Sequence, residues 1–266
     1  MSDISYPENQ SVAPGSTKQS LGLGRIISDT FDIFFRRFPV IFLICLVPSS
    51  AGLVMSSYAI GIEAALGLTA PSFTGLEDSG PFLAAVIAGI LVSYIASAFL
   101  VQLTYDAKLN RPVRLSHYIL PTLVTILPVV IIGLVSTVLT FLATIALVIP
   151  GLWVSAVFVS AIPAIVIERV GFRGLQRSAE LTKGYRWPIV VVVLLAGFVS
   201  QGMTFLATYL AGLVNGAYGL TPTVVLFIAL VTISIGLTSV PVALIYARLR
   251  EIKDGVSVDD LAAVFD

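Results

Sequence analysis

Six apolar stretches divide this chain, and every Lys and Arg falls on one side of the path they trace. The runs are Pro39 to about Ala59, about Pro81 to Tyr105, Pro121 or Pro128 to about Val148, Leu152 to Ile167, Pro188 to about Leu213, and about Thr223 to Tyr246. About 20 apolar residues cross the hydrocarbon core of a bilayer at about 1.5 Å per residue. Lys18, Arg25, Arg36 and Arg37 precede the first run, and Lys108, Arg111 and Arg114 separate the second from the third. Arg169, Arg173, Arg177, Lys183 and Arg186 separate the fourth from the fifth, and Arg248, Arg250 and Lys253 follow the sixth. These are all 15 cations of the chain. The opposite loops carry only Glu63, Glu77 and Asp78. Basic residues stay cytoplasmic during insertion, so the pattern predicts an all-α polytopic membrane protein with six transmembrane helices and both termini in the cytoplasm.

Composition agrees. Charged residues are 11% of the chain and mean hydropathy is +1.01, against about 25% charged in soluble domains. Net charge is zero, which offers nucleic acid no global attraction. The lone cysteine, Cys45, sits inside the first run and reads as a small buried hydrophobe. Residues 1–20 are polar and rich in Pro, Ser, Gln and Asn, so a disordered cytoplasmic tail is expected. They lack the basic start and short apolar core of a cleaved signal. Residues 254–266 are expected to form a second cytoplasmic tail.

Amphipathic helices are expected on the cytoplasmic side, at about 21–38 and 171–187. In the first, Leu23, Ile26, Ile27, Phe31, Phe34, Phe35 and Phe38 recur at helical spacing, with Arg25, Ser28, Asp29, Asp32 and Arg36 opposite. Such a helix lies either in the lipid interface or on the protein's own cytoplasmic face. Three spans open alike: Arg37-Phe38-Pro39, Ile126-Leu127-Pro128 and Arg186-Trp187-Pro188. Proline fits the first turn of a helix, where its missing N–H leaves no gap. The pattern suggests a unit of surface helix plus hairpin present three times; coincidence among apolar runs is the alternative. Ile149-Pro150-Gly151 reads as the turn between the third and fourth spans.

Candidate sites are few. No Asp, Glu, Lys, Arg or His lies in mid-span, where ion-coupled transporters keep them. The polar groups within the spans are Gln102, Gln201 and stripes of small or hydroxyl residues at steps of four. Examples are Ala85, Gly89, Ser93 and Ser97, or Ser136, Thr140 and Thr144. Such stripes let helices pack closely; alternatively they line a polar path. The single histidine, His117, has no second His or accessible Cys to build a zinc set with. Ser116, His117 and Asp106 make a triad on paper only. No metal, cofactor or nucleotide loop is expected, and the chain reads as non-enzymatic. The strongest candidate surface is the basic face: Arg36, Arg37, Arg173, Arg177, Lys183, Arg186, Arg248 and Arg250. Cations beside a bilayer attract anionic headgroups by about 1 kcal/mol each.

The central stretch carries a family likeness. Ile149-Pro150-Gly151, then Ala164-Ile165-Val166-Ile167-Glu168, then Gly174-Leu175-Gln176-Arg177-Ser178-Ala179-Glu180-Leu181-Thr182-Lys183-Gly184 with Trp187 are the residues concerned. Here the chain resembles the membrane domain of the glycerophosphoryl diester phosphodiesterase family and related uncharacterised bacterial inner-membrane proteins. In the enzymes of that name a separate catalytic barrel follows the membrane part. A barrel needs about 200 residues or more, and only about 20 follow the sixth run. The resemblance therefore implies a bacterial inner-membrane location and no phosphodiesterase activity. The expectation is a membrane protein that binds anionic lipid or a partner protein through its basic face, in envelope or lipid homeostasis. The alternatives are a transporter or lipid-translocating channel with a polar intramembrane cavity, and a membrane subunit of a separately encoded lipid-phosphate enzyme.

Overall fold

The structure is a computed structural model that describes residues 20–71, 76–109, 111–112 and 114–255. Of the expected tails, residues 1–19 and 256–266 lie outside the described residues, as do the side chains of Glu77 and Asp78, while Asp254 closes the last helix rather than opening a tail. The described chain is helical: α1 (Leu23–Arg36), α2 (Phe38–Ile60), the short α3 (Ile62–Ala65), α4 (Leu76–Lys108), α5 (Leu115–Ala146), α6 (Val148–Phe158), α7 (Ala161–Glu168), α8 (Gly174–Thr182), α9 (Arg186–Tyr218) and α10 (Leu220–Asp254). Six segments are long and apolar enough to cross a membrane, α6 and α7 counting together as one of 21 residues. They match the six runs of the sequence.

The spans form three hairpins, α2 with α4, α5 with α6–α7, and α9 with α10. A helical segment precedes the first and third: α1 before α2, and α8 before α9. In the second hairpin that segment is fused into the span, because α5 continues through both Pro121 and Pro128. Helix α10 holds the assembly together, packing on α9, α2, α4 and α1. Its Gly236 lies against Phe34 and Ile41, and Thr232 shares a hydrogen bond of 2.6 Å with Ser49 of α2. The charged groups of α1, α4, α7, α8 and α10 meet at one end, where Lys108 pairs with Asp29 and Arg177 with Glu168 and Asp254.

Two local features differ from the sequence reading. The third span ends at Ala146 and the fourth begins at Val148, so Leu147 alone makes the turn. Pro150 and Gly151 are not the turn; they sit in the first turn of α6. Pro150 is tolerated there because no intrahelical bond is lost. Gly151 is needed because a Cβ at this position would collide with the side chain and backbone of Thr144.

The fourth span is also broken in the middle, between Phe158 and Ala161. Pro163 explains the break. Its ring excludes the carbonyl of Val159 four residues earlier and removes the bond that would join the two halves. The freed backbone groups are met by α8. Ser178 Oγ donates to Val157 O at 2.7 Å and accepts the N–H of Ser160 at 3.2 Å. Gly174, Ser178, Leu181 and Thr182 form the buried face of α8. At Gly174 a Cβ would come within 2.5 Å of Ile165, so only glycine allows α8 to seat on α7. The segment at 171–187 therefore packs on protein along this face, closing a gap that lipid could not hydrogen-bond.

Candidate functional site: the charged face

The site is built where α1, α4, α7, α8 and α10 end together. Glu168 closes α7, and Arg169 follows in the left-handed conformation at φ 55°, which turns the chain into α8. One turn into α8, Arg177 grips Glu168 with two bonds, Nε to Oε2 at 2.8 Å and Nη2 to Oε1 at 3.1 Å. Its Nη2 also reaches Asp254 Oδ2 at 2.5 Å. Tyr246 donates to Glu168 Oε1 at 2.8 Å, and Arg250 donates to the Tyr105 hydroxyl at 3.2 Å. Arg250 Nε stands 3.9 Å from Glu168 and 3.7 Å from Asp254. Two guanidinium groups and two carboxylates thus balance. The bonds it donates to Glu168 are the main cause that holds the Arg177 guanidinium even more firmly protonated than usual. This cluster ties α4, α7, α8 and α10 together and has no charge to spare.

The eight basic residues singled out from the sequence now divide. Arg177 and Arg250 serve the cluster. Arg36 pairs with Asp32 at 2.9 Å on the surface of α1, and Arg248 pairs with Glu251 at 2.7 Å while donating to Ser20 O. The other four have no carboxylate within 4.0 Å among the described residues: Arg37, Arg173, Lys183 and Arg186. Arg173 and Lys183 are exposed at the two ends of α8. Arg186 lies over the Trp153 ring, 4.4 Å from its centroid, a contact of about 0.5–2 kcal/mol. Arg25 and Lys253, which sequence reasoning left out, also have no carboxylate within that distance among the described residues. The pairing of Glu168 with Arg177 was signalled by a lone acid at the end of an apolar run, nine residues from a helical arginine.

The two intramembrane glutamines separate as well. Gln102 is buried between α4 and α5, donating to Thr122 Oγ1 at 2.9 Å and Ala98 O at 3.1 Å, so it joins two helices. Gln201 is exposed on the outer side of α9. The hydroxyl stripes of α4 and α5 do not pack shut along their length. They line a lateral groove with two adjoining chambers of about 460 and 530 Å3 that share Tyr94 and Thr137. Ser93, Ser97, Ser136, Thr140 and Thr144 face it. Tyr94 crosses the groove to donate to Gly133 O at 2.6 Å and bonds with Thr137. His117 is exposed, and Asp106 accepts a bond from Tyr118 at 2.7 Å, so these residues do not assemble a relay with Ser116.

No protein-family model, curated protein or solved structure matches this chain.

Proposed function

We propose that this chain is a non-enzymatic, multi-pass protein of the bacterial inner membrane that binds anionic lipid at its basic face. Both termini are cytoplasmic in this reading, which the one-sided cation distribution supports. The observation that carries it is the imbalance left after pairing. Lys108, Arg36, Arg177, Arg248 and Arg250 take up Asp29, Asp32, Glu168, Glu251 and Asp254, and Asp106 and Glu180 accept bonds from the neutral donors Tyr118 and Gln176, while Arg37, Arg173, Lys183 and Arg186 have no acidic partner among the described residues. Trp187 is exposed beside them, where an amphipathic ring anchors at the headgroup level. Exposed Ile27, Phe31 and Phe35 form one stripe of α1, which supports contact with lipid on that side.

Native mass spectrometry on protein reconstituted with equal phosphatidylglycerol and phosphatidylcholine tests the proposal. Wild type is expected to retain the anionic lipid. A variant with Arg173, Lys183 and Arg186 changed to Glu is expected to lose the preference. Equal retention of both lipids by wild type would remove the reading.

A second reading rests on the hydroxyl-lined groove between α2, α4 and α5. A groove of this kind suits passage of a lipid headgroup between leaflets. Transbilayer movement of a fluorescent lipid in proteoliposomes tests it, and a rate equal to that of protein-free vesicles counts against it.

A further inference from the structure

We propose that one phospholipid with an anionic headgroup is held at a defined place, its acyl chain lying between α1 and α9 on the surface of α10. This rests on the reading of the basic face given above and assigns it a site. An apolar groove of about 270 Å3 runs there, walled by Ile27 and Phe31 of α1 and by Val192, Leu195 and Val199 of α9, with Pro241 of α10 as floor. The hydroxyl of Thr30 also borders it but is already bonded to Ile26 O at 2.7 Å. The groove therefore offers no unmet polar group and accepts only an apolar chain.

A second cavity lies toward the start of α9 and forms the mouth of the proposed site. Pro188 lies one turn before Val192 on the same face of α9, and it lines this cavity of about 520 Å3 with Leu21, Gly22, Gly184 and Tyr185. From Pro188 to Val199 the helix rises about 16 Å, a length that suits an extended acyl chain. Three cations adjoin residues that line this cavity. Lys183 precedes Gly184 and is exposed, Lys253 Nζ stands 5.8 Å from the centre of the Tyr185 ring, and Arg25 is within one turn of Gly22. None has a carboxylate within 4.0 Å among the described residues. An apolar trough followed by a cavity beside three unpaired cations complements an acyl chain ending in a phosphate.

The test uses the full chain in nanodiscs holding phosphatidylglycerol and phosphatidylcholine, with retained lipid read by native mass spectrometry. Ala196→Trp fills the groove and is expected to abolish the tightly held lipid. Phe198→Trp, on the outer side of α9, is expected to leave it in place. Lys183→Gln with Lys253→Gln is expected to lower the preference for phosphatidylglycerol roughly 30-fold, the effect of losing two cations. Soluble glycerol 3-phosphate is expected not to compete, because it lacks the chain. If Ala196→Trp does not fold, Leu195→Phe and Ile27→Trp narrow the same groove from its two walls. Should the filled groove retain lipid as wild type does while changing Arg173, Lys183 and Arg186 to Glu removes it, the groove is overturned and the basic-face reading stands. Competition by glycerol 3-phosphate would likewise overturn the groove. If wild type shows no preference for the anionic lipid, both fall.

Discussion

Ser178 Oγ donates to the carbonyl of Val157 and accepts the N–H of Ser160, so one hydroxyl bridges both sides of the gap in the fourth span. Removing it leaves the buried N–H of Ser160 unmet and Val157 O with only the longer bond from Thr182 Oγ1 at 3.3 Å. Ser178→Ala is expected to lower stability by about 1–3 kcal/mol, read as thermal unfolding in detergent. Ser200→Ala, half-buried on α9, serves as control and should shift stability by less than about 0.5 kcal/mol. Equal melting of the two variants would show that α8 does not support the break.

Arg177 and Glu168 are coupled across the same region. Arg177→Met leaves Glu168 beside Tyr246 without its main partner, and a loss of about 1–3 kcal/mol is expected for a pair that is partly exposed. Adding Glu168→Gln should recover part of that loss. A double-mutant cycle measures it, and additive losses would mean that the two side chains do not interact.

Close approach at glycine supplies a third test. At Gly236 a Cβ would lie 2.8 Å from Phe34 and 2.9 Å from Ile41, and at Gly174 it would lie 2.5 Å from Ile165. Alanine at either position is expected to destabilise by about 1–3 kcal/mol through overpacking. Gly202 has nothing within 4 Å, and alanine there should be neutral or stabilise by up to about 1 kcal/mol through helix propensity. Denaturant titration of the three variants decides the order.

Sidedness is measurable by labelling. In a Cys45→Ala background, Lys183→Cys and Tyr218→Cys place thiols on exposed positions at opposite ends of the bundle. A maleimide that cannot cross membranes should react with the second in intact cells, and with the first only after the membrane is opened. Reaction of both from outside would invalidate the six-span path.

The six spans were legible in the sequence because lipid leaves apolar runs long and pushes cations to one side. The rule that admits proline to a first helical turn also applies at Pro150, yet Pro150-Gly151 reads as a turn when only punctuation is weighed. Gly151 meets Thr144 across the hairpin, a contact no local pattern contains. The break at Ser160 had a visible cause in Pro163. Its repair did not, because Ser178 comes from a helix 18 residues later. The basic face was legible as a set of charges, but not how many of them are matched within the chain. Arg177 and Arg250 look like their neighbours in sequence, and only folding brings Glu168, Asp254 and Tyr105 beside them.

The single residue Leu147 leaves α5 and α6 no slack to slide past one another, and the Gly151–Thr144 contact interlocks them beside that link. The two helices are therefore one lever. Its only jointed point along the fourth span is the gap after Phe158, where the latch is a serine hydroxyl rather than a covalent or ionic tie. Any swing of that arm would have to part α5 from α7, where Val129 and Ile132 pack with Ala161, Ile165 and Val166, so the latch closes a joint that is already packed.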